Sequence, residues 1–400
     1  MGHASATGRN GEDRRILLIL RTPPPYGGGE AIGAQLHQLF AGKYSILAFQ
    51  RRRHSKRKQG RLTLANLAFG LRYVAVSSAR LALARPSVVY VDIPKDARSF
   101  LRTSPILLVA RALRIRVVGD LAGADLLVLD GHSPVAHYSR WVLRGVHLVR
   151  VLGASIAATL TARGVHNTEV LSNGIAEPPV ARDPRPVLEG PARLLYVGEL
   201  AEAKGIVTLL GMMRELTSSG VDAKLDLVGD WESDATRERV LALRDEWDLH
   251  EDVAVHGLLI GDAKWRAFRR AHVLVHPTSW DGQPVTILEA LAFGVPVVAT
   301  RVGAIPDTIR DGVEGYLMAD NSVAELVTGV RALLADRKMY ATYARRARQA
   351  YAERFSADVF APRMAELLDA AAANRGIKPH AWQDSSGQST VDREHQPACL

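Results

Sequence analysis

Two acids, Asp281 and Glu289, frame the part of this chain best suited to chemistry. Asp281 lies in the glycine-containing run Trp280-Asp281-Gly282-Gln283-Pro284, and Glu289 follows within the apolar segment that starts at Val285. Pro284 suits the first position of a helix, where its missing N–H is no loss. Gly294 suits the C-terminal cap, and Pro296 leads into a strand-like run at 295–300. Such a loop turns backbone N–H groups and a helix dipole toward one ligand, with a carboxylate on either side. An anion such as a diphosphate sits well at that helix end, and carboxylates accept hydrogen bonds from sugar hydroxyls. The combination points to a nucleotide-sugar site.

Elements must hold that loop in place, and the chain supplies them in two cycles. Its 400 residues are too many for one ordinary core, which implies two domains. An apolar run at 14–20, bounded by charges, reads as a buried parallel strand. The glycine-rich stretch 22–30 and a helix at 31–40 follow. Strands at 44–49, 88–91, 115–118 and 148–151 then alternate with helices from 62, from 101 and near 139–144. A second cycle opens beyond Asn173-Gly174 and the proline-rich loop 177–191. It has strands at 193–197, 224–228, 253–256 and 273–276, with helices at 206–216, 236–246 and 264–271. Two Rossmann-like α/β domains, 14–173 and 192–354, are therefore expected, with a ligand in the cleft between them. Helices at 324–334 and 340–354 pack the second domain, and a last helix at 355–375 is expected to return to the first. Residues 1–13 and the polar stretch 376–400 are expected to be disordered.

The composition is globular, with 47% hydrophobic and 23% charged residues. The single cysteine, Cys399, excludes an intramolecular disulfide and a cysteine-based metal site and fits a reducing cytoplasm. No signal peptide is expected, because 1–14 is polar. A net charge of +9 favours an anionic partner. Much of the excess is local: Arg51, Arg52, Arg53, Lys56, Arg57 and Lys58 crowd one segment, and Arg72, Arg80 and Arg85 follow on a helix at 62–84. Two readings stand side by side, a solvated loop before an ordinary amphipathic helix, and a contact with an anionic membrane surface. Nucleic acid is disfavoured because the cluster lacks interleaved aromatics. The expected location is the cytoplasm, peripheral on the inner face of the cell membrane.

At this point the chain resembles a retaining glycosyltransferase of the GT-B fold, in the large family 4 of sugar transferases (glycosyl transferases group 1). The resemblance covers roughly 14–375 and is strongest from Arg193 to Met318. It rests on His276-Pro-Thr-Ser-Trp-Asp-Gly-Gln-Pro284, on Glu289-Ala-Leu-Ala-Phe-Gly-Val-Pro-Val-Val-Ala-Thr300, on Arg301-Val-Gly-Ala-Ile-Pro-Asp307 and on Asp311-Gly-Val-Glu-Gly-Tyr-Leu317. The family's pair of glutamates with seven residues between them reads Asp281 and Glu289 here. The resemblance implies that Asp281, Gly282 and Gln283 contact the donor sugar, that Glu289 binds the ribose, and that Pro284 and Val285 border the same site. Glu289 could instead be a helix acid paired with a neighbouring cation. In Tyr196-Val-Gly-Glu-Leu-Ala-Glu-Ala-Lys-Gly205, Lys204 takes the place of the lysine that clamps the diphosphate, while Glu199, next to Gly198, stands where an arginine is usual. A fixed cation there would stabilise the negative charge that grows on the departing diphosphate. Weaker resemblances place Gly229 of Val228-Gly-Asp230 near the nucleotide, Gly257 and Leu258 beside the base, and Gly28 and Gly29 across the cleft from the diphosphate.

One departure concerns Val117-Val-Gly-Asp-Leu-Ala-Gly-Ala-Asp125, where relatives carry histidines and one of them lines the sugar site. Asp120 and Ala122 stand in those places, and Asp120, Asp125 or His132 are the candidates to substitute. No Asp-x-Asp run and no metal-ligand spacing is present. Transfer without a metal and without a cofactor other than the co-substrate nucleotide-sugar is therefore expected. The implied function is transfer of a sugar to a hydroxyl of a glycan or lipid-linked acceptor. The competing expectation is a catalytically impaired nucleotide-sugar-binding scaffold in a glycan-assembly complex.

Overall fold

The computed structural model describes residues 16–24, 27–50, 64–94, 96–123, 131, 133–179, 181 and 190–374. The basic run 51–58, Asp125, His132 and the expected terminal tails lie outside them. Two six-stranded sheets organise the described chain. The first contains β1 (Ile16–Thr22), β2 (Ser45–Gln50), β3 (Val88–Asp92), β4 (Arg116–Leu121), β5 (Leu148–Val151) and β6 (Thr168–Val170), all parallel, in the order β2-β1-β3-β4-β5-β6. Its helices are α1 (Gly28–Phe40), α2 (Leu64–Ala84), α3 (Ala97–Ala112), α4 (Pro134–Arg144) and α5 (Ala154–Ala162).

The second sheet holds β7 (Ala192–Val197), β8 (Ala223–Val228), β9 (Val253–Gly257), β10 (Val273–His276), β11 (Val297–Thr300) and β12 (Gly315–Met318), again all parallel, in the order β12-β11-β10-β7-β8-β9. Helices α6 (Ile206–Ser218), α7 (Asp234–Glu246), α8 (Asp262–Arg270), α9 (Val285–Ala292), α10 (Ile305–Thr308), α11 (Val323–Leu334) and α12 (Arg337–Ala350) surround it. The central strands are buried on both faces, β10 and β11 along their whole length. Parallel strands covered by helices demand such uninterrupted apolar runs.

Strand order decides where a ligand can go. In the first sheet the direction of winding reverses between β1 and β3, and in the second between β7 and β10. At such a reversal the loops leaving adjacent strands part to opposite faces of the sheet and open a crevice at the carboxyl ends. The loops that follow β1, β3, β7 and β10 therefore face a common space. Two connections join the halves. Ile175 N–H donates to Phe355 O at 2.8 Å and Ala357 N–H donates to Ile175 O at 2.8 Å. Beyond the second crossing, α13 (Ala357–Ala372) packs on β3 and β4 of the first sheet. Arg116 Nη1 donates to Ala372 O at 2.7 Å, and Tyr44 Oη to Asp369 Oδ1 at 3.1 Å.

Four elements add to the sequence expectation: α5, β6, α10 and β12. The first is the alanine- and threonine-rich ASIAATLTA, which has no clear polar face, and the strands have three and four residues. Pro284 stands one place earlier than expected. It is the capping residue, with φ −61° and ψ 120°, and the helix begins at Val285. Its extended ψ lets the chain turn out of the helix axis into the loop that carries Asp281.

Candidate functional site

Between the sheets lies a cavity of about 490 Å³ lined by both halves. Its second-domain wall is built at the β7/β10 reversal. After β7 the chain makes a single turn, Glu202–Lys204, and Gly205 enters α6 with φ +80°. A Cβ on Gly205 would stand 2.0 Å from Pro277 O, so only glycine lets this turn lie against the β10 loop. That approach buries Lys204, whose Nζ donates to Trp280 O and to Asp281 Oδ2, each at 2.8 Å. The ammonium also lies 3.8 Å from the Trp280 ring centroid. His276, buried at the end of β10, places Nε2 3.6 Å from Asp281 Oδ2. Burial pushes the Asp281 carboxyl up, but the His276 imidazole and the Lys204 ammonium together reverse this and hold it below the usual carboxylate range.

The β10 loop is tied down from several sides. Thr300 Oγ1 donates to Thr278 O at 2.6 Å, Thr278 Oγ1 donates to Trp280 O at 2.8 Å, and Ser279 N–H donates to Ala203 O at 2.9 Å. Asp281 is therefore a fixed charge rather than a mobile surface acid.

Helix α9 leaves this loop with no side chain capping its N-terminus, which is edged by Pro284, Val285 and Thr286 of the cavity lining. Its unpaired N–H groups and dipole suit an anion. One turn on, Glu289 is buried, and Lys264 of α8 places Nζ 2.6 Å from Glu289 Oε1. Glu289 Oε2 and Thr286 Oγ1 are buried without a hydrogen-bond partner. Burial raises the Glu289 carboxyl above its ordinary value, against the opposing pull of Lys264. A half-satisfied carboxylate at a cavity wall is an acceptor for a donor brought by a ligand.

The first-domain wall presents Gly28 and Gly29 from the start of α1, and a Cβ on Gly28 would lie 3.7 Å from Val285 Cγ2 across the cleft. Beside them Arg21 pairs with Asp92 at the ends of β1 and β3, and both line the cavity. Asp120, at the end of β4, also lines it, but both its oxygens are engaged. Tyr90 Oη donates to Oδ2 at 2.5 Å, and the fully buried Arg150 donates from Nη1 to Oδ1 at 2.9 Å. Arg150 Nη2 donates to Asn173 Oδ1 at 2.8 Å, Asn173 N–H donates to Gln283 Oε1 at 2.7 Å, and Gln283 Nε2 donates to Thr308 Oγ1 at 3.0 Å. A buried polar chain thus runs from β3 of the first domain to α10 of the second.

Of the residues singled out in the sequence, the structure brings Lys204, Asp281, Glu289, Asp120, Gly28, Gly29, Gly198, Glu199, Gly229, Leu258, Gln283, Pro284 and Val285 to one cavity wall or the other. Gly257 and Gly282 lie outside that lining. Gly257 O accepts from Gly229 N–H at 2.9 Å, and Gly282 packs so closely on the first domain that a Cβ would stand 1.8 Å from Ala122 O. Gln283 spends its side-chain amide on the two domains rather than on the cavity. Sequence reasoning missed Lys264, His276, Arg150 and the Arg21–Asp92 pair as parts of the site. Lys264 follows a Gly-Asp turn with nothing local to aim it at an acid 25 positions away, and Arg150 reads as an oddity inside an apolar strand. Among the described residues, no group of three or more His, Cys, Asp or Glu is arranged to hold a metal ion.

Comparison with known proteins agrees with this geometry. Residues 180–350 match the family described as Glycosyl transferases group 1. The chain is 29% identical over 247 residues to glycogen synthase of Mycobacterium tuberculosis, covering 59% of this chain and 56% of that protein. It is 27% identical over 278 residues to the putative colanic acid biosynthesis glycosyltransferase WcaL of Escherichia coli, covering 65% and 67%. Among solved structures, sucrose-phosphate synthase from Thermosynechococcus elongatus superposes with a TM-score of 0.68 at 21% identity, over 90% of this chain and 100% of that one. HepE of Anabaena in complex with UDP superposes with a TM-score of 0.65 at 16% identity, over 88% and 99%. The matched region spans little more than half of the glycogen synthase sequence. The protein has the two-domain GT-B fold, and its residues 180–350 are similar to the family Glycosyl transferases group 1.

Proposed function

We propose that this protein is a glycosyltransferase that moves a sugar, a hexose in the simplest case, from a nucleotide-sugar to a hydroxyl of a glycan or lipid-linked acceptor. In this reading transfer retains the anomeric configuration and needs no metal ion. The observation that carries it is the meeting, in one cavity, of the part-buried Lys204–Asp281 pair, the uncapped N-terminus of α9 and the unpartnered Glu289 Oε2. The nucleoside diphosphate lies with its phosphates between Lys204 and the start of α9. Ribose hydroxyls supply the donor that Glu289 Oε2 lacks, and Asp281 accepts from the sugar. The bond from the anomeric carbon to the phosphate oxygen breaks as the acceptor oxygen bonds to the same face. The acceptor proton passes to the departing phosphate. Lys204 and the helix dipole stabilise the charge left on that phosphate, the role a bound cation plays elsewhere. The structures of HepE in complex with UDP, with UDP and glucose and with UDP-glucose support a nucleoside-diphosphate-sugar donor for this fold.

The test is release of nucleoside diphosphate from a panel of nucleotide-sugars with glycan and lipid-linked acceptors, with and without EDTA. Lys204→Ala and Glu289→Ala should each lower the rate by orders of magnitude, and EDTA should leave it unchanged. A second reading, a nucleotide-sugar-binding scaffold without turnover, is favoured by one observation: Tyr90 and Arg150 occupy both oxygens of Asp120. Tight binding of nucleotide by calorimetry with no turnover on any acceptor would decide for it.

A further inference from the structure

Helix α2 turns an apolar face away from the protein. Tyr73, Ser77 and Leu81 are its buried side, packed toward the rest of the first domain. On the opposite side Leu67 is 58% exposed, Leu71 64%, Val76 39% and Leu83 85%. Ala68, Ala75, Ala79 and Ala82 share that exposed side, and Arg72 and Arg80 are the cations on the exposed surface of the helix. Leu101 of α3 and Trp141 of α4 add exposed apolar area on the helices that pack next in the row. Contiguous apolar surface of this kind marks a contact with a partner or with lipid.

Charge identifies which. Between residues 51 and 91 the sequence contains ten Lys or Arg and not one Asp or Glu. That single segment accounts for the whole +9 of the chain. Apolar side chains set among cations, with acids excluded, complement a surface that offers hydrocarbon beneath anionic headgroups. The window 67–84 is long and apolar enough to cross a membrane, but it is 22% buried within the protein. A helix held to its own domain along one side lies on a bilayer rather than through it.

We infer that the exposed face of α2, with Arg72 and Arg80 set among its apolar side chains, docks on an anionic lipid bilayer. The topology gives the contact a position. Gln50, at the end of β2, pairs in register with Thr22 of β1, so the strand that precedes α2 ends at the same end of the sheet as the Gly28 loop of the cleft. Docked this way, the protein holds its cleft mouth near the lipid headgroups.

The test is flotation of the full-length protein with vesicles of phosphatidylcholine alone and of phosphatidylcholine containing about a third phosphatidylglycerol. Binding to the anionic vesicles and not to the neutral ones is expected. Leu71→Glu and Leu83→Glu should each reduce the bound fraction about tenfold, with an unchanged melting curve because both side chains face solvent. Arg72→Glu with Arg80→Glu should weaken binding and leave the residue less sensitive to salt. Absence of binding to anionic vesicles overturns the inference, and so does undiminished binding by the two leucine variants. A wild-type dimer that the leucine variants dissociate would also overturn it, because a second copy would then be what covers the face. Vesicle binding is read without turnover, so its failure leaves the proposed transfer untouched.

Discussion

Lys264 Nζ stands 2.6 Å from Glu289 Oε1, while Glu289 Oε2, equally buried, has no partner. One lysine therefore meets half of what a buried carboxylate needs, and the carboxyl is held above its ordinary value by burial. A group with a raised folded-state pKa stabilises the fold while it is protonated. That contribution is lost as pH climbs from the unfolded value of 4.5 through the folded one. The difference in Tm between Glu289→Gln and wild type should therefore be more positive near pH 7 than near pH 4. Calorimetric scans at the two pH values check it, and a difference of opposite sign removes the account of Glu289 given above.

Asp281 should behave in the opposite way. Its carboxyl is held below the ordinary range, so its contribution is present above the unfolded value of 3.8 and is lost as pH falls through the folded one. Asp281→Asn should cost roughly 3 kcal/mol at neutral pH, because it also leaves Lys204 buried without its counter-charge. The deficit should shrink in acid. Urea titration at several pH values measures both the cost and its direction.

Gly282→Ala tests how closely the domains meet. A Cβ there would lie 1.8 Å from the backbone oxygen of Ala122, which has no side-chain freedom to yield. The loop or the domain must move. Affinity for a nucleoside diphosphate should fall by about tenfold or more, and small-angle scattering should report a larger radius of gyration. Normal affinity at unchanged dimensions would mean that the two domains need not touch here.

Asp307 of the second domain caps a helix of the first. Its Oδ1 accepts from Ala154 N–H at 3.1 Å, at the start of α5, and its Oδ2 accepts from Ser155 Oγ at 2.8 Å. Asp307→Ala removes a helix cap and an interdomain tie together, and should lower stability by about 1 kcal/mol. The loss should appear as faster amide exchange at the start of α5, with the second domain's own sheet unaffected.

Much of this was readable from residue order. The apolar runs at 16–20, 88–91, 194–197 and 273–276 announce buried parallel strands, because such strands need hydrocarbon on both faces. The loop around Asp281 was readable too, since Gly282, Pro284 and Gly294 punctuate a short helix. What escaped was short or lacked a polar face: α5, β6, α10 and β12. Also missed were the long-range partners Lys264, His276 and Arg150, whose purpose lies in contacts made across the fold.

Residue types alone specified two doubly wound domains and a glycine- and proline-punctuated loop that carries Asp281 into the helix of Glu289. Local periodicity and turn chemistry act over a few residues, and both are written there. Only the assembled fold decided that Lys204 would meet Asp281 across the β7/β10 reversal and that Lys264 would take one oxygen of Glu289. The assembled fold also locked Asp120 to Tyr90 and Arg150. Each of these is a meeting of polar or charged groups 25 or more positions apart along the wall of the cleft. Strand order and domain packing create that place, and neither is encoded at any single point of the chain.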